Sequence, residues 1–267
     1  MDRAIAPSLA VLRRRARQTI LEYSRSELPK FLQELELLGE VGIFGGLLRD
    51  SATAYPSTFA SDVDIVVDTK EEDRFDSFFK KHAVNLNRFG GYRLSLSRGT
   101  VDVWPLQRTW AFRTGVRQGS SLRDLLGTTY FSWDSIVYSW TNQRLYCRDS
   151  YLEDIRQRVV ELELSENPNP LGALVRTLRL IESGRAGLGP RLAINTFNLL
   201  EQHTNEEVLR AENQGYKALY LREGRIREIR SQLRRFIEET MGSSPFGVPE
   251  LKQLPLPFIC SGIAPAL

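Results

Sequence analysis

Histidine and cysteine are nearly missing from this 267-residue chain, which has only His82, His203, Cys147 and Cys260. Four such residues cannot supply a disulfide framework or a Cys/His zinc site. Serine–histidine and cysteine–histidine hydrolysis is poorly supported too, because each needs an imidazole beside its nucleophile. Lysine is also scarce: six of the 36 basic residues are lysine and thirty are arginine. Long apolar runs are lacking. A transmembrane helix needs roughly 20 apolar residues, whereas the longest uncharged candidate, Gln253 to Leu267, is short and interrupted by Pro255, Pro257 and Pro265. No membrane span is therefore expected. Arg13, Arg14, Arg15 and Arg17 follow the first apolar residues instead of preceding them, the wrong charge order for a secretory signal, so the expected location is the cytoplasm.

What remains is the composition of an ordinary globular protein, 42% apolar and 26% charged with a net charge of +3, long enough for one or two domains with cores of their own. Any catalysis falls to carboxylates. The arginine excess suits a phosphate-rich partner, since the guanidinium is a planar fork of donors, but high-GC codon usage produces the same skew.

Near-helical apolar spacing predicts helix over Ala10 to Leu38 with a break at Pro29. A strand is expected at Val41 to Phe44, a turn at Gly45-Gly46, a helix from Leu47 to Ala54 and a second strand at Val63 to Val67. Glu71 to His82 reads as a helix, and Tyr92 to Ser97 with Val101 to Leu106 as a hairpin turning at Arg98-Gly99-Thr100. From Leu122 onward helices are expected to dominate, at Ser150 to Leu162, Leu171 to Ser183, Arg191 to His203 and Glu206 to Thr240. The expected organisation is an N-terminal helical segment over 1–40, a sheet domain over 41–164, a helical domain over 165–243 and a Pro-rich tail over 244–267.

The sharpest chemical feature is Asp62-Val63-Asp64. In a strand, residues two apart share a face, so both carboxylates project together. Hard oxygen ligands placed this close suit Mg²⁺, or Mn²⁺ in its place. Asp102, between Val101 and Val103, can supply a third acid if the sheet pairs the strands. Three carboxylates at one sheet face can hold two ions about 4 Å apart, an arrangement that activates an attacking hydroxyl and stabilises a leaving pyrophosphate. For an isolated Asp-x-Asp, a strand cap beside a solvated acid accounts for the same residues. Phe44-Gly45-Gly46-Leu47-Leu48-Arg49-Asp50 lies shortly upstream. Paired glycines let the backbone approach a ligand closely, the amides opening the next helix can accept a triphosphate, and Arg49 can pair with a phosphate or with a nearby acid.

Gly45-Gly46-Leu47-Leu48-Arg49-Asp50 followed by Asp62-Val63-Asp64 resembles the head domain of class II CCA-adding enzymes and bacterial poly(A) polymerases, in the polymerase-β-like nucleotidyltransferase superfamily. Phe131 to Tyr138 is similar to the segment carrying Phe-Thr-Ile-Asn-Ala in that family, Tyr151-Leu152-Glu153-Asp154-Ile155 to its Leu-Glu-Asp-Leu helix, and Asn169 to Arg179 to its Asp-Pro-Leu-Arg-Ile-Leu-Arg-Ala-Ile-Arg helix. The resemblance spans about Val41 to Leu180. It implies an α+β fold, with a mixed-sheet head followed by a helical, neck-like domain. It also implies Asp62, Asp64 and Asp102 as catalytic metal ligands. Gly45, Gly46, Arg49, Asp134, Arg176 and Arg179 become nucleotide-binding candidates. The implied activity is transfer of a nucleoside monophosphate from an NTP to a hydroxyl, with Mg²⁺ as cofactor and an RNA 3′ end as acceptor.

The departures are specific. Thr128-Thr129-Tyr130 stands where the family has Arg-Arg-Asp, and Pro168, Asn169 and Gly172 stand where it has the Glu-Asp-x-x-Arg that reads the incoming base. Gly172 has no donor with which to select a base, so ordered C-C-A addition is not expected. The chain stops soon after the neck-like region, which also argues against a housekeeping CCA enzyme. Arg227, Arg230 and Arg234 share one face of an arginine-rich helix and are candidates for RNA contact; a solvated amphipathic helix accounts for the same pattern. Trp104, Trp110, Trp133 and Trp140 are read as core, with base stacking open to one of them. Two other readings remain: nucleotidylation of a protein or small molecule, and a catalytically silent nucleotide- or RNA-binding module.

Overall fold

The computed structural model describes residues 5–23, 27–53, 62–81, 84, 86–87 and 90–243. The expected tail over 244–267, together with Ser61, His82 and Cys260, lies outside the described residues. The chain divides into two compact units, Met1–Arg156 and Gln157–Leu267.

The first unit runs α1 (Leu9–Glu22), α2 (Glu27–Leu35), β1 (Glu40–Phe44), α3 (Gly46–Ala52), β2 (Val63–Asp68), α4 (Glu72–Lys81), β3 (Tyr92–Leu96), β4 (Gly99–Pro105), α5 (Trp110–Arg113), β5 (Ile136–Ser139), β6 (Arg144–Cys147) and α6 (Tyr151–Arg156). Pro29 sits in the first turn of α2, where a missing backbone N–H costs nothing, so the helix break falls before the proline. The six strands form one mixed sheet in the order β3-β4-β2-β1-β5-β6. Only β2 and β4 are parallel; the other neighbours are antiparallel. A parallel pair needs a crossover, and α4 with β3 provides it.

One sheet face carries Val41, Ile43, Val63, Ile65, Val67, Val101 and Val103, all fully buried. Phe31, Phe79 and Tyr92 tie α2 and α4 to that face, the Phe79 and Tyr92 rings stacking at 4.4 Å. The opposite face alternates in character along its length. Val66, toward one end, and Val137 of β5, level with Phe44, join Leu106, Leu122 and Leu125 in a small apolar cluster, with Phe44, Phe112 and Tyr146 packed against it. Gly42 makes this possible, because a Cβ there would lie 2.8 Å from a Leu122 methyl. Toward the other end the same face is acidic.

The second unit contains β7 (Val159–Val160), α7 (Pro170–Glu182), β8 (Gly187–Leu188), α8 (Pro190–Gln202), α9 (Asn205–Gly215) and α10 (Glu223–Ser243). Its boundary precedes the 165–170 stretch because β7 pairs with β8, and because Glu161 accepts from the amides of Leu192 (2.8 Å) and Arg191 (3.3 Å) at the start of α8. A carboxylate there satisfies orphan donors and the positive end of the helix dipole.

Three expectations need correction. Helices do not take over after Leu122, since β5 and β6 form a hairpin that completes the sheet. The helix expected over Ser150 to Leu162 ends at Arg156, where the chain turns into β7. The single helix expected over Glu206 to Thr240 is two, because the buried Glu212 carboxylate accepts from the amides of Tyr220 and Leu221 and folds the 216–222 link back on α9. Among the described residues no helix is long and apolar enough to cross a membrane.

Gly42→Val should force Leu122 aside and destabilise the chain by about 1–3 kcal/mol, read as a lowered midpoint in urea unfolding followed by circular dichroism. An unchanged midpoint would contradict the packing of the 122–127 segment on this face.

Candidate active site

The site begins with strand register. Phe44 lies opposite Asp64 across β1 and β2, Asp64 opposite Asp102 across β2 and β4, and Asp102 opposite Arg93 across β4 and β3. Paired residues on neighbouring strands share a face, so Phe44, Asp64, Asp102 and Arg93 form one row across four strands. Asp62 joins that face by its two-residue offset from Asp64. The sheet thus brings together all three acids picked out in the sequence, in a parallel pairing that the sequence alone did not specify.

Like charges so placed repel, and Arg93 offsets the repulsion. Its Nη2 donates to Asp62 Oδ2 at 2.9 Å and to Asp102 Oδ2 at 2.5 Å, while its Nε donates to Asp102 Oδ1 at 2.8 Å. This bidentate hold on Asp102, with the Asp62 and Asp64 charges nearby, raises the Arg93 pKa above its ordinary value. Asp102 is buried, with only 4% exposure, and also accepts from Asn87 Nδ2 at 3.3 Å. Thr100 donates its hydroxyl to Asp62. Arg93 was not among the sequence candidates. The alternation Tyr92-Arg93-Leu94 puts it on the face away from Tyr92, but only the sheet order shows what it meets.

The glycine turn abuts this row. Gly45 has φ 76° and ψ −132°, a backbone conformation suited to glycine, and a Cβ on it would lie 3.7 Å from Asp64 Oδ2. Bare backbone therefore stands beside a carboxylate at the end of β1, and Gly46 opens α3. Arg49, one turn into that helix, donates to Asp134 Oδ1 at 2.7 Å and to Asp50 Oδ1 at 2.9 Å. Burial works against its charge, but the two carboxylates outweigh burial and raise its pKa. Tyr151, fully enclosed beneath, donates to the Trp133 carbonyl at 2.8 Å, and burial pushes its phenol up. Arg49 and Asp134 thus join α3 to the 132–134 turn near the glycines.

Carboxylate oxygens grouped at a sheet end, with a cation already bridging two of them, are the donor chemistry of a divalent ion site. In the present arrangement Arg93 supplies the cation, and among the described residues no three acidic, histidine or cysteine side chains converge on a metal position.

The second-unit candidates are placed differently. Asn169 caps α7, its Oδ1 accepting from the Gly172 amide at 3.0 Å, and a Cβ on Gly172 would collide with the Asn169 side chain. Arg176 is exposed on α7. Arg179 donates to Glu212 Oε1 at 2.5 Å and to the Ala218 carbonyl at 2.8 Å, with its guanidinium 3.9 Å from the Tyr216 ring centre and 4.3 Å from that of Tyr220. Arg230 donates to the carbonyls of Leu200 and His203 at the end of α8, while Arg227 and Arg234 are exposed and pair with Glu223 and Glu201.

No protein-family model matches the chain, and no curated protein matches it. Solved structures do. A Thermotoga maritima CCA-adding enzyme complexed with tRNA superposes with a TM-score of 0.53 at 14% identity, over 82% of this chain and 54% of that one. A CCA-adding enzyme with CTP gives 0.53 at 15%, over 82% and 55%. A tRNA nucleotidyltransferase with a primer tRNA and an incoming ATP analogue gives 0.50 at 19%, over 84% and 65%. The fold is that of the CCA-adding enzymes. At such identities the likeness is one of fold, and the chain spans between about half and two thirds of the length of these structures. The six-stranded mixed sheet with its flanking helices, followed by a helical unit, is the α+β architecture expected from the sequence.

Arg93→Ala leaves the buried Asp102 without its main partner and should cost about 1–3 kcal/mol of stability, measured by denaturant unfolding at neutral pH. Arg93→Lys, which keeps the charge but loses the fork, should recover part of it. Equal stability of all three proteins would show that the row does not depend on this cation.

Proposed function

We propose that the chain is a metal-dependent nucleotidyltransferase that moves a nucleoside monophosphate from an NTP to the 3′ hydroxyl of an RNA. The observation that carries this reading is the row itself: Asp64 and Asp102 in register on parallel strands, with Asp62 on the same face and the glycine turn adjoining. The head fold shared with CCA-adding enzymes supports it.

In the proposed reaction the acceptor hydroxyl gives up its proton to water as its oxygen attacks the α-phosphorus, the bond from that phosphorus to the bridging oxygen breaks, and pyrophosphate leaves. Asp62, Asp64 and Asp102 would hold Mg²⁺, which when bound lowers the pKa of the attacking hydroxyl and neutralises charge on the leaving group. Gly45 and Gly46 admit the triphosphate close to the backbone. Arg49, held by Asp50 and Asp134, positions the turn and the start of α3. Arg93 must release Asp62 and Asp102 before those carboxylates can ligate an ion.

That last requirement favours one second reading, a catalytically silent nucleotide- or RNA-binding module in which Arg93 permanently takes the cation's place. The two readings separate on metal affinity. For an enzyme, Mn²⁺ should bind the intact chain in a paramagnetic titration, and Arg93→Ala should bind it about tenfold or more tightly because the competing cation is gone. Absence of Mn²⁺ binding in both proteins favours the silent module.

Asp62→Ala or Asp64→Ala should lower transfer of labelled NMP from NTP into RNA by roughly a thousandfold or more, since several kcal/mol of transition-state stabilisation are lost, with the circular dichroism spectrum unchanged. Full turnover in the double variant would eliminate the mechanism.

Base choice should be loose. Asn169 is engaged in capping and Gly172 has no side chain, so no buried polar reader stands at these positions; discrimination among NTPs is expected to be about tenfold to a hundredfold at most. Competition among the four NTPs at equal concentration measures it. Faithful completion of a truncated tRNA to CCA by the purified chain would refute this expectation.

A further inference from the structure

A second charged feature lies in the first unit, away from the acid row. Arg13, Arg14 and Arg17 of α1 and Arg144 of β6 line a cavity of about 610 Å³ together with Ala10, Tyr138, Asn142 and Gln143. Tyr138 lies opposite Ile43 in β1, so it belongs to the sheet face opposite Asp64. The hairpin turn that carries Asn142 and Gln143 is held at the Val41 end of β1 by the Trp140 amide, which donates to the Val41 carbonyl at 2.8 Å. The glycine turn is at the other end of that strand. The cavity is therefore distinct from the acid row in both face and end.

Two independent observations mark it as a binding site. The first is uncompensated charge. Among the described residues four arginines and no carboxylate line the cavity, and none of the four makes an ion pair. Arg13 and Arg17 stand one helical turn apart, where like charges repel, so α1 carries this cluster at a cost to its own stability. The second is a buried donor with nothing to bind. Tyr138 has no exposed surface, and its hydroxyl has no hydrogen-bond partner among the described residues. Buried polar groups are almost always paired, and an orphan in a cavity wall calls for an explanation. Burial pushes the Tyr138 phenol up while Arg17 and Arg13 pull it down, and the net rise keeps it a neutral donor at physiological pH.

We propose that this cavity binds a phosphate-bearing ligand. Four guanidinium forks and two side-chain amides, with the phenol O–H of Tyr138 buried beneath them, offer far more donors than one carboxylate could accept, whereas phosphate oxygens take several charge-assisted bonds each. The cavity has the size of a small-molecule pocket, and its exposed arginines can equally track a strand. Phosphate is the shared chemistry; its source is either a free polyphosphate or nucleotide, or the phosphodiesters of an RNA. The proposal does not depend on the catalytic reading.

The test uses the full chain in EDTA, so that the acid row holds no divalent ion. Binding is measured for inorganic tripolyphosphate by calorimetry and for a fluorescein-labelled single-stranded RNA by anisotropy, with the wild type, R13Q/R17Q, Y138F and a control of equal charge loss, R123Q/R235Q. The exposed arginines can be replaced without threatening the fold. R13Q/R17Q should weaken at least one probe by about tenfold to a hundredfold, the control should change it less than threefold, and Y138F should weaken the same probe with no loss of thermal stability. Loss of tripolyphosphate binding identifies a free ligand, and loss confined to RNA identifies a strand. The proposal is overturned if neither probe binds the wild type, if R13Q/R17Q binds both probes as the wild type does, or if the control loses as much affinity as R13Q/R17Q.

Discussion

The ion pair of Arg93 with Asp102 and Asp62 is the constraint around which the first unit is arranged. Parallel pairing of β2 with β4 sets Asp64 and Asp102 side by side, and the two-residue period adds Asp62 to the same face. Taken alone this would be an unfavourable cluster, since a buried carboxylate without a partner is costly. The edge strand β3 resolves it by presenting a guanidinium in the same row. The remaining features of that face follow from keeping the row at one end. The apolar cluster under Leu122 and Leu125 covers the rest of the face, and the pair of Arg49 with Asp134 holds the adjoining turn in place.

Local sequence pattern encodes the acids and the turn but not what neutralises them. Strand alternation places Asp62 with Asp64, and β-branched residues around Asp102 place it in a strand, because both are local properties. The partner of Asp102 is set by strand order, which no local pattern encodes, and so Arg93 passed unnoticed between Tyr92 and Leu94. The β5–β6 hairpin leaves no local pattern for a different reason. Ile136 to Ser139 is buried throughout, so it shows no alternation, and Arg144 to Cys147 is too short to show a period. The break between α9 and α10 escaped because it is made by a tertiary contact, the Glu212 carboxylate collecting the amides of Tyr220 and Leu221.

The departures from the CCA-type helix in the second unit have a local physical reason. An Asn at position 169 accepts from the amide of residue 172, a favourable N-cap, and the Asn169 side chain then fills the space a Cβ on residue 172 would need. Cap and glycine are thus coupled: a side chain restored at 172 would have to displace the cap. Farther along the same helix Arg179 is stacked between two tyrosines and bound to a buried glutamate, which makes it a clamp among α7, α9 and the 216–222 link. These residues hold the start of α7 and tie its length to α9.

A net charge of +3 conceals a separation of charge within the first unit. The acid row lies at the Phe44 end of β1, and the cavity of Arg13, Arg14, Arg17 and Arg144 lies toward the Glu40 end on the other face. A strand of five residues spans about 16 Å, roughly twice the Debye length of about 8 Å at physiological salt. Through solvent the two clusters hardly feel each other, and each has to be balanced where it stands. The row is balanced from within by Arg93. The arginines have no such partner among the described residues, and the phenol beneath them has no acceptor. The cluster is therefore open to an anion from outside, and an anion drawn there is one that the repulsive acid row does not compete for.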